Sequence, residues 1–212
     1  MYFSENIKNN KLMQGVEDKI HKKIKYSGKG KVYFSTDFVK YGNPESVTKA
    51  LSSLNKKGAL IRLTRGIYLY PKFSELLGQI VYPSLDTIAK EIAKRDKARI
   101  VPTGVQALNM LGLSTQVVMN AVYLTDGSQR RIKIWDGKGI LFIHTAPKNL
   151  AYKSDLMMLV VSALKEIGEG NVSSREVEKI RKILKEHETK ESILKDIELA
   201  PAWIRKILLT MM

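Results

Sequence analysis

The chain has 212 residues, enough for one ordinary domain or two small ones, and its 44% hydrophobic and 27% charged residues exclude wholesale disorder. It has no cysteine, which removes disulfides, thiolate nucleophiles and cysteine-ligated zinc or iron–sulfur centres together. Thirty-six Lys and Arg against 21 Asp and Glu give a net charge of +15, so a polyanion is the expected partner.

The charge excess is uneven. Residues 1–75 carry 15 basic and 6 acidic groups, residues 76–150 carry 10 and 5, and residues 151–212 carry 11 and 10. A charge that served solubility alone would be spread more evenly, so the nucleic-acid contact is expected in the N-terminal third. The longest apolar stretch, residues 156–164, is about half of the roughly 20 residues that a membrane span needs. Residues 1–13 lack the apolar core of a signal peptide. No membrane partner and a cytoplasmic location are therefore expected.

In chain order, residues 15–26 place Val16, Ile20 and Ile24 at helical spacing, with lysines on the other face. Ser27-Gly28-Lys29-Gly30-Lys31 breaks that helix, and residues 32–34 form a short extended run. Ser35 caps a brief second helix that ends at Gly42. Asn43-Pro44 starts a third helix, with Val47, Ala50, Leu51 and Leu54 as its buried stripe, and Gly58 stops it. Residues 59–63 and 67–70 flank Thr64-Arg65-Gly66 as a tight hairpin.

Helix, strand, helix, helix, hairpin is the order of a winged helix-turn-helix, which we place over residues 12–73. The third helix, roughly 21 Å long, can lie across a major groove roughly 12 Å wide. Opposite its core stripe lie Glu45, Ser46, Thr48, Lys49, Ser52, Ser53 and Lys56, and the hairpin offers Arg62 and Arg65, with Lys72 beyond. Ser46, Thr48, Lys49, Ser52, Ser53, Lys56, Arg62, Arg65 and Lys72 are the candidate DNA-binding residues.

Residues 74–212 read as a second domain, mixed over 74–150 and helical over 151–212, so the fold class is α+β. Ser84 caps a helix with Leu85, Ile88, Ala89, Ile92 and Ala93 as its stripe. Residues 100–101 form a buried strand, and Thr103 caps a helix over 104–111. A three-stranded β-meander is expected over 121–125, 130–135 and 140–145, with turns at Asp126-Gly127 and Asp136-Gly137. Helices follow over 155–167, 174–187 and 190–199, capped by Ser154, Ser173 and Thr189, and a last one after Pro201.

The segment Ser46-Val47-Thr48-Lys49-Ala50-Leu51 with Gly58-Ala59-Leu60-Ile61-Arg62-Leu63-Thr64-Arg65-Gly66-Ile67-Tyr68 resembles the winged helix of AbiEi-type antitoxins. Pro102-Thr103-Gly104, Ala107-Leu108-Asn109, Leu111-Gly112-Leu113-Ser114-Thr115-Gln116 and Tyr123-Leu124-Thr125-Asp126-Gly127 resemble the companion domain of the same group. The resemblance covers roughly residues 12–205 and implies a role in abortive infection, within a type IV toxin–antitoxin system. It implies a repressor that binds double-stranded DNA at its own operon promoter. It further implies that the protein counteracts a nucleotidyltransferase toxin without a stable complex between the two.

Catalytic constellations are thin. His21, His144 and His187 fall in separate segments with no metal-ligand spacing. Gly28-Lys29-Gly30-Lys31 lacks the upstream Gly, and the Ser or Thr after Lys, of a phosphate loop. Asp126 with Asp136-Gly137-Lys138 has the outline of a nuclease metal set. In the expected meander, however, one strand holds the two aspartates roughly 20 Å apart, too far to share an ion. No enzyme activity, cofactor or metal is expected; the alternative is a DNA-processing factor of nuclease-like kind.

Overall fold

The computed structural model describes residues 2–116, 118–135 and 137–212, with side chains from residue 15 onward. The protein is a mixed α+β chain with helices at its C-terminal end, and it divides into two compact units, Met1–Ile88 and Ala89–Met212.

In the first unit, α1 (Tyr2–Ser27) is followed by β1 (Val32–Phe34), a 3-10 helix (Ser35–Tyr41) and α2 (Pro44–Lys56), then β2 (Ile61–Thr64) and β3 (Ile67–Leu69). The two apolar stripes explain the packing. Val16, Ile20 and Ile24 of α1 and Val47, Ala50, Leu51 and Leu54 of α2 are all buried, in one cluster with Tyr33, Phe38, Leu60 and Tyr68. The three strands pair antiparallel in the order β1-β3-β2, with an irregularity in β2 between Arg62 and Thr64. Gly42 lets the chain enter α2 against α1, since a Cβ there would stand 3.0 Å from Val16 Cγ2.

Ser35 does not cap the short helix as expected. The cap position is Phe34, whose N–H donates to Asp37 Oδ2 at 2.8 Å, and the segment winds as a 3-10 helix. Seven residues suit that tighter geometry, which is used in short pieces. Residues 71–83, for which the sequence pattern predicts no element, hold a hairpin of β4 (Lys72–Ser74) and β5 (Gln79–Val81).

The second unit takes in most of α3 (Leu85–Asp96) and a four-stranded sheet of β6 (Ile100–Pro102), β7 (Asn120–Thr125), β8 (Arg130–Lys133) and β9 (Gly139–His144). Beyond it come a 3-10 turn (Pro147–Leu150), α5 (Asp155–Ile167), α6 (Ser174–His187), α7 (Lys190–Ile197) and α8 (Ala202–Thr210). On one sheet face Tyr123 and Phe142 stand side by side, both buried, with Ala93 and Asp96 of α3 near Phe142 and Thr125. On the other face Val101 and Leu124 meet Met158 and Val161 of α5. Behind α5 the cluster continues through Ile180, Leu184, Ile193, Ile197, Ile204 and Leu208 of the last three helices.

The expected meander is corrected. The strand order is β6-β7-β9-β8, with β7 and β9 parallel and β8 at the edge, so Asp126-Gly127 does not close a hairpin. The physical reason is burial. In β7 and β9 every second residue or more is buried, whereas β8 is Arg130-Arg131-Ile132-Lys133 with no buried residue, and charged strands belong on edges. The expected cap at Thr103 is also corrected. Helix α4 (Val105–Met110) starts from Gly104 without a side-chain cap, and Thr103 N–H instead donates to Val122 O at 3.0 Å.

Candidate nucleic-acid interface

The site is built on α2. Asn43 Oδ1 accepts the Ser46 N–H at 2.8 Å, and Pro44 sits in the first turn, where its missing N–H costs no bond. With the stripe from Val47 to Leu54 buried, the opposite face shows Glu45, Thr48, Lys49, Ser52 and Lys56 to solvent. Ser46 and Ser53 are half-buried at its margins.

The polar groups on that face are not equally available. Thr48 Oγ1 donates back to Pro44 O at 2.7 Å, and Lys49 Nζ pairs with Glu45 Oε1 at 2.6 Å, one turn away. Glu17 on α1 takes Lys57 Nζ at 2.5 Å, and Ser53, half-buried, lies beside the same carboxyl. Burial alone would raise the Glu17 pKa; the bonds from Lys57 and Ser53 outweigh it and hold the carboxyl below its ordinary value. Lys57, at the C-terminal cap of α2, therefore ties α2 to α1, and Ser53 faces that junction. Ser52 and Lys56 remain exposed and uncommitted.

Beyond α2, Arg62 N–H donates to Asn55 Oδ1 at 2.9 Å, which sets the start of β2 beside the last turn of α2. Its side chain is exposed. Arg65, also exposed, occupies the β2–β3 turn with Gly66, whose φ of +75° makes the reversal and whose carbonyl accepts the Ser35 N–H at 3.0 Å. Lys72 lies elsewhere: the three residues of β3, roughly 10 Å of strand, separate it from Arg65.

Lys72 has neighbours that the sequence reading set aside. Gly30 N–H donates to Tyr70 O at 2.7 Å and Tyr70 N–H to Lys31 O at 2.9 Å, so the β1–β3 ladder continues into the Lys29–Lys31 turn. A Cβ on Gly30 would stand 3.8 Å from Lys72 Cβ, which brings Lys29, Lys31 and Lys72, all exposed, to one end of the sheet. The signal was the glycine-spaced lysine loop itself. Its lysines are placed for a shared surface, not for a phosphate loop.

Acids do little to offset this charge. Among the described side chains of residues 15–75, Glu17, Asp37 and Glu45 are each engaged within the unit, which leaves Asp18 and Glu75. Among the described residues, Lys56, Arg62, Arg65 and Lys72 have no acidic partner. An uncompensated cationic face on one small unit concentrates a polyanion near it.

The second unit offers a cleft of about 290 Å³ lined by Asp96, Thr125, Ser128, Arg130 and Phe142 among others. Most of its groups answer one another, although Arg130 Nε is buried with no hydrogen-bond partner among the described residues. Asp96 takes Arg95 Nε at 2.7 Å and Arg130, Arg130 stacks over Phe142 at 5.3 Å, and Thr125 Oγ1 accepts the Gly127 N–H. Burial would raise the Asp96 pKa, but the Arg95 and Arg130 bonds hold it below the ordinary 3.8. Of the nuclease-like outline, Asp126 Oδ1 accepts the Arg99 N–H at 2.8 Å, and Asp136 lies outside the described residues. His144 Nδ1–H donates to Gly127 O at 3.0 Å. Among the described residues no group of three or more His, Asp or Glu could hold a metal ion, and no helix is long and apolar enough to cross a membrane.

Residues 19–193 match a protein family described as a family of unknown function (DUF6088). The matched stretch runs from α1 to α7 and so includes most of both units. No curated protein matches the chain.

Proposed function

The chain belongs to the DUF6088 family, and we propose that it is a cytoplasmic, DNA-binding transcriptional autorepressor that also serves as the antitoxin of a type IV toxin–antitoxin operon. It acts by binding and not by catalysis. Its N-terminal unit is a winged helix-turn-helix in which α2 enters the major groove of the operon's own promoter and the β2–β3 turn grips the backbone.

One observation carries the DNA-binding part. The exposed face of α2 and the adjoining hairpin present Lys56, Arg62 and Arg65 with no acidic partner among the described residues, on a unit whose described acids are largely consumed internally. The element order and the β1-β3-β2 pairing support the winged-helix reading, since that pairing puts the β2–β3 turn at one end of the sheet with Arg65 exposed. Ser52 and Lys49 face outward in the middle of α2, where a recognition helix meets base edges, while arginines in a turn suit phosphate. The antitoxin part rests on the resemblance to AbiEi-type proteins, and its functional partner is a nucleotidyltransferase toxin held in no stable complex.

Two experiments test these parts separately. The full chain is titrated onto the duplex upstream of its own gene across a range of salt. About five phosphates neutralised give a slope of log K against log[salt] near −4 to −5. A slope shallower than about −2 removes the electrostatic basis of the proposal. For the antitoxin role, co-expression should rescue cells from the toxicity of the adjacent gene's product; no rescue, or an adjacent gene that encodes no nucleotidyltransferase, overturns it.

A further inference from the structure

Between Pro71 and Pro83 the chain makes a hairpin whose strands, β4 and β5, pair among the described residues only with each other, Phe73 opposite Ile80. A lone two-stranded hairpin is marginal in water unless something covers an apolar face. Here the outward groups are apolar. Leu76 is 94% exposed, Leu77 60% and Phe73 56%, and Val81 and Tyr82 are exposed as well. The tip is an ordered turn, with Leu77 N–H donating to Ser74 Oγ at 3.3 Å and Gly78 at a φ of +62°. It holds two leucines in water where polar residues normally sit.

Three observations identify what covers this hairpin. The first is area. Large side chains offer about 150–250 Å² each, so the exposed fractions leave on the order of 500 Å² of apolar surface per copy. Two copies joined along the hairpin enclose at most about 1,000 Å², which reaches the lower bound for a specific interface. The second is the strand edge. Natural edges are guarded by charge, proline or a bulge. Strand β4 has Pro71 and Lys72 at its start, whereas Gln79-Ile80-Val81 of β5 has neither a charge nor a proline. The third is charge. Within residues 73–82 the only charged group is Glu75, on a unit that is otherwise strongly basic, so two copies repel least there and a nucleic acid finds no cation.

We propose that the β4–β5 hairpin is the self-association surface of this chain. Two copies join β5 to β5 antiparallel about a twofold axis, which makes one four-stranded sheet with Phe73, Ile80 and Tyr82 on a shared face. Such a contact is isologous and closes at two copies. It goes beyond the DNA-binding reading and its test uses no DNA.

The experiment is sedimentation of the full chain between about 1 and 100 μM, the range in which a small interface dissociates, with amide exchange measured at both ends. The mass should rise to twice 24.0 kDa with concentration, and the amides of residues 79–82 should become protected as it does. Leu76→Asp with Val81→Lys should raise the dissociation constant at least about tenfold while the circular dichroism is unchanged. A wild-type chain that stays monomeric throughout overturns the proposal, whatever else the hairpin is found to bind. So does a dimer in which residues 79–82 exchange as fast as in the monomer.

Discussion

Replacing Asp196 tests the packing of the C-terminal helices at its most demanding point. This carboxylate on α7 is only 1% exposed, and its two oxygens accept the N–H groups of Lys153 at 2.9 Å and Ser154 at 2.8 Å, at the entrance to α5. Asp196→Ala leaves both donors without a partner. At about 1–3 kcal/mol for each, and with both only partly buried, the cost is about 2–4 kcal/mol. Asp196→Asn keeps the shape but turns an amide nitrogen toward one of the two donors, so about 1–3 kcal/mol is lost. Urea unfolding read by tryptophan fluorescence is the assay, because the chain's two tryptophans, Trp135 and Trp203, both lie in the second unit. With a slope of about 1–3 kcal/mol/M, the alanine variant should move the midpoint by about 1–2 M, asparagine by less and the exposed neighbour Lys195→Ala hardly at all. An asparagine variant as stable as wild type within about 0.5 kcal/mol would refute the reasoning, since the second acceptor would then be idle.

Other outcomes follow from single contacts. Asn43→Ala removes the α2 cap and should lower the stability of the first unit by about 1 kcal/mol, read from its thermal midpoint. Gly66→Ala places a Cβ 3.3 Å from Ser35 Oγ at a left-handed φ of +75°, and should cost about 1–2 kcal/mol by the same measurement. Asp96 titrates below its ordinary 3.8 when folded, so its contribution is full above that value and is lost as pH falls through the folded one. Tryptophan fluorescence should therefore show the second unit weakening below about pH 4, with a flatter acid limb in Asp96→Asn.

Most local features were legible in the sequence, the caps expected at Ser35 and Thr103 being the exceptions, and non-local ones were not. The caps Asn43, Ser154, Ser173 and Thr189 each accept the N–H three residues on, because a cap depends only on its own turn. The stripes of α1 and α2 were equally plain, since 3.6-residue periodicity has no other outlet than burial. Strand order was different. Asp126-Gly127 carries the local mark of a hairpin, yet β9 lies between β7 and β8, because the apolar strands compete for the centre of the sheet and β8 does not. The hairpin at 72–81 escaped notice because three-residue strands are too short to establish a period. For the candidate site, the outward face of α2 could be read from spacing alone. That Lys57 turns to Glu17, and that Lys72 joins Lys29 and Lys31 at the far end from Arg65, depends on contacts across the fold.

The most direct test of the account is a set of four binding isotherms for wild type and each of three variants: the upstream duplex and a random one, each at two salt concentrations. Wild type should prefer its own upstream duplex. Lys49→Ala and Ser52→Ala should weaken that binding about 5- to 150-fold and narrow the gap to random DNA. Arg65→Ala should weaken both duplexes alike and reduce the salt slope by about one. If Arg65→Ala abolishes discrimination while Lys49→Ala and Ser52→Ala leave it intact, the β2–β3 turn is the reader and the assignment to α2 is wrong. Equal binding of both duplexes by the wild-type chain would contradict the repressor reading altogether.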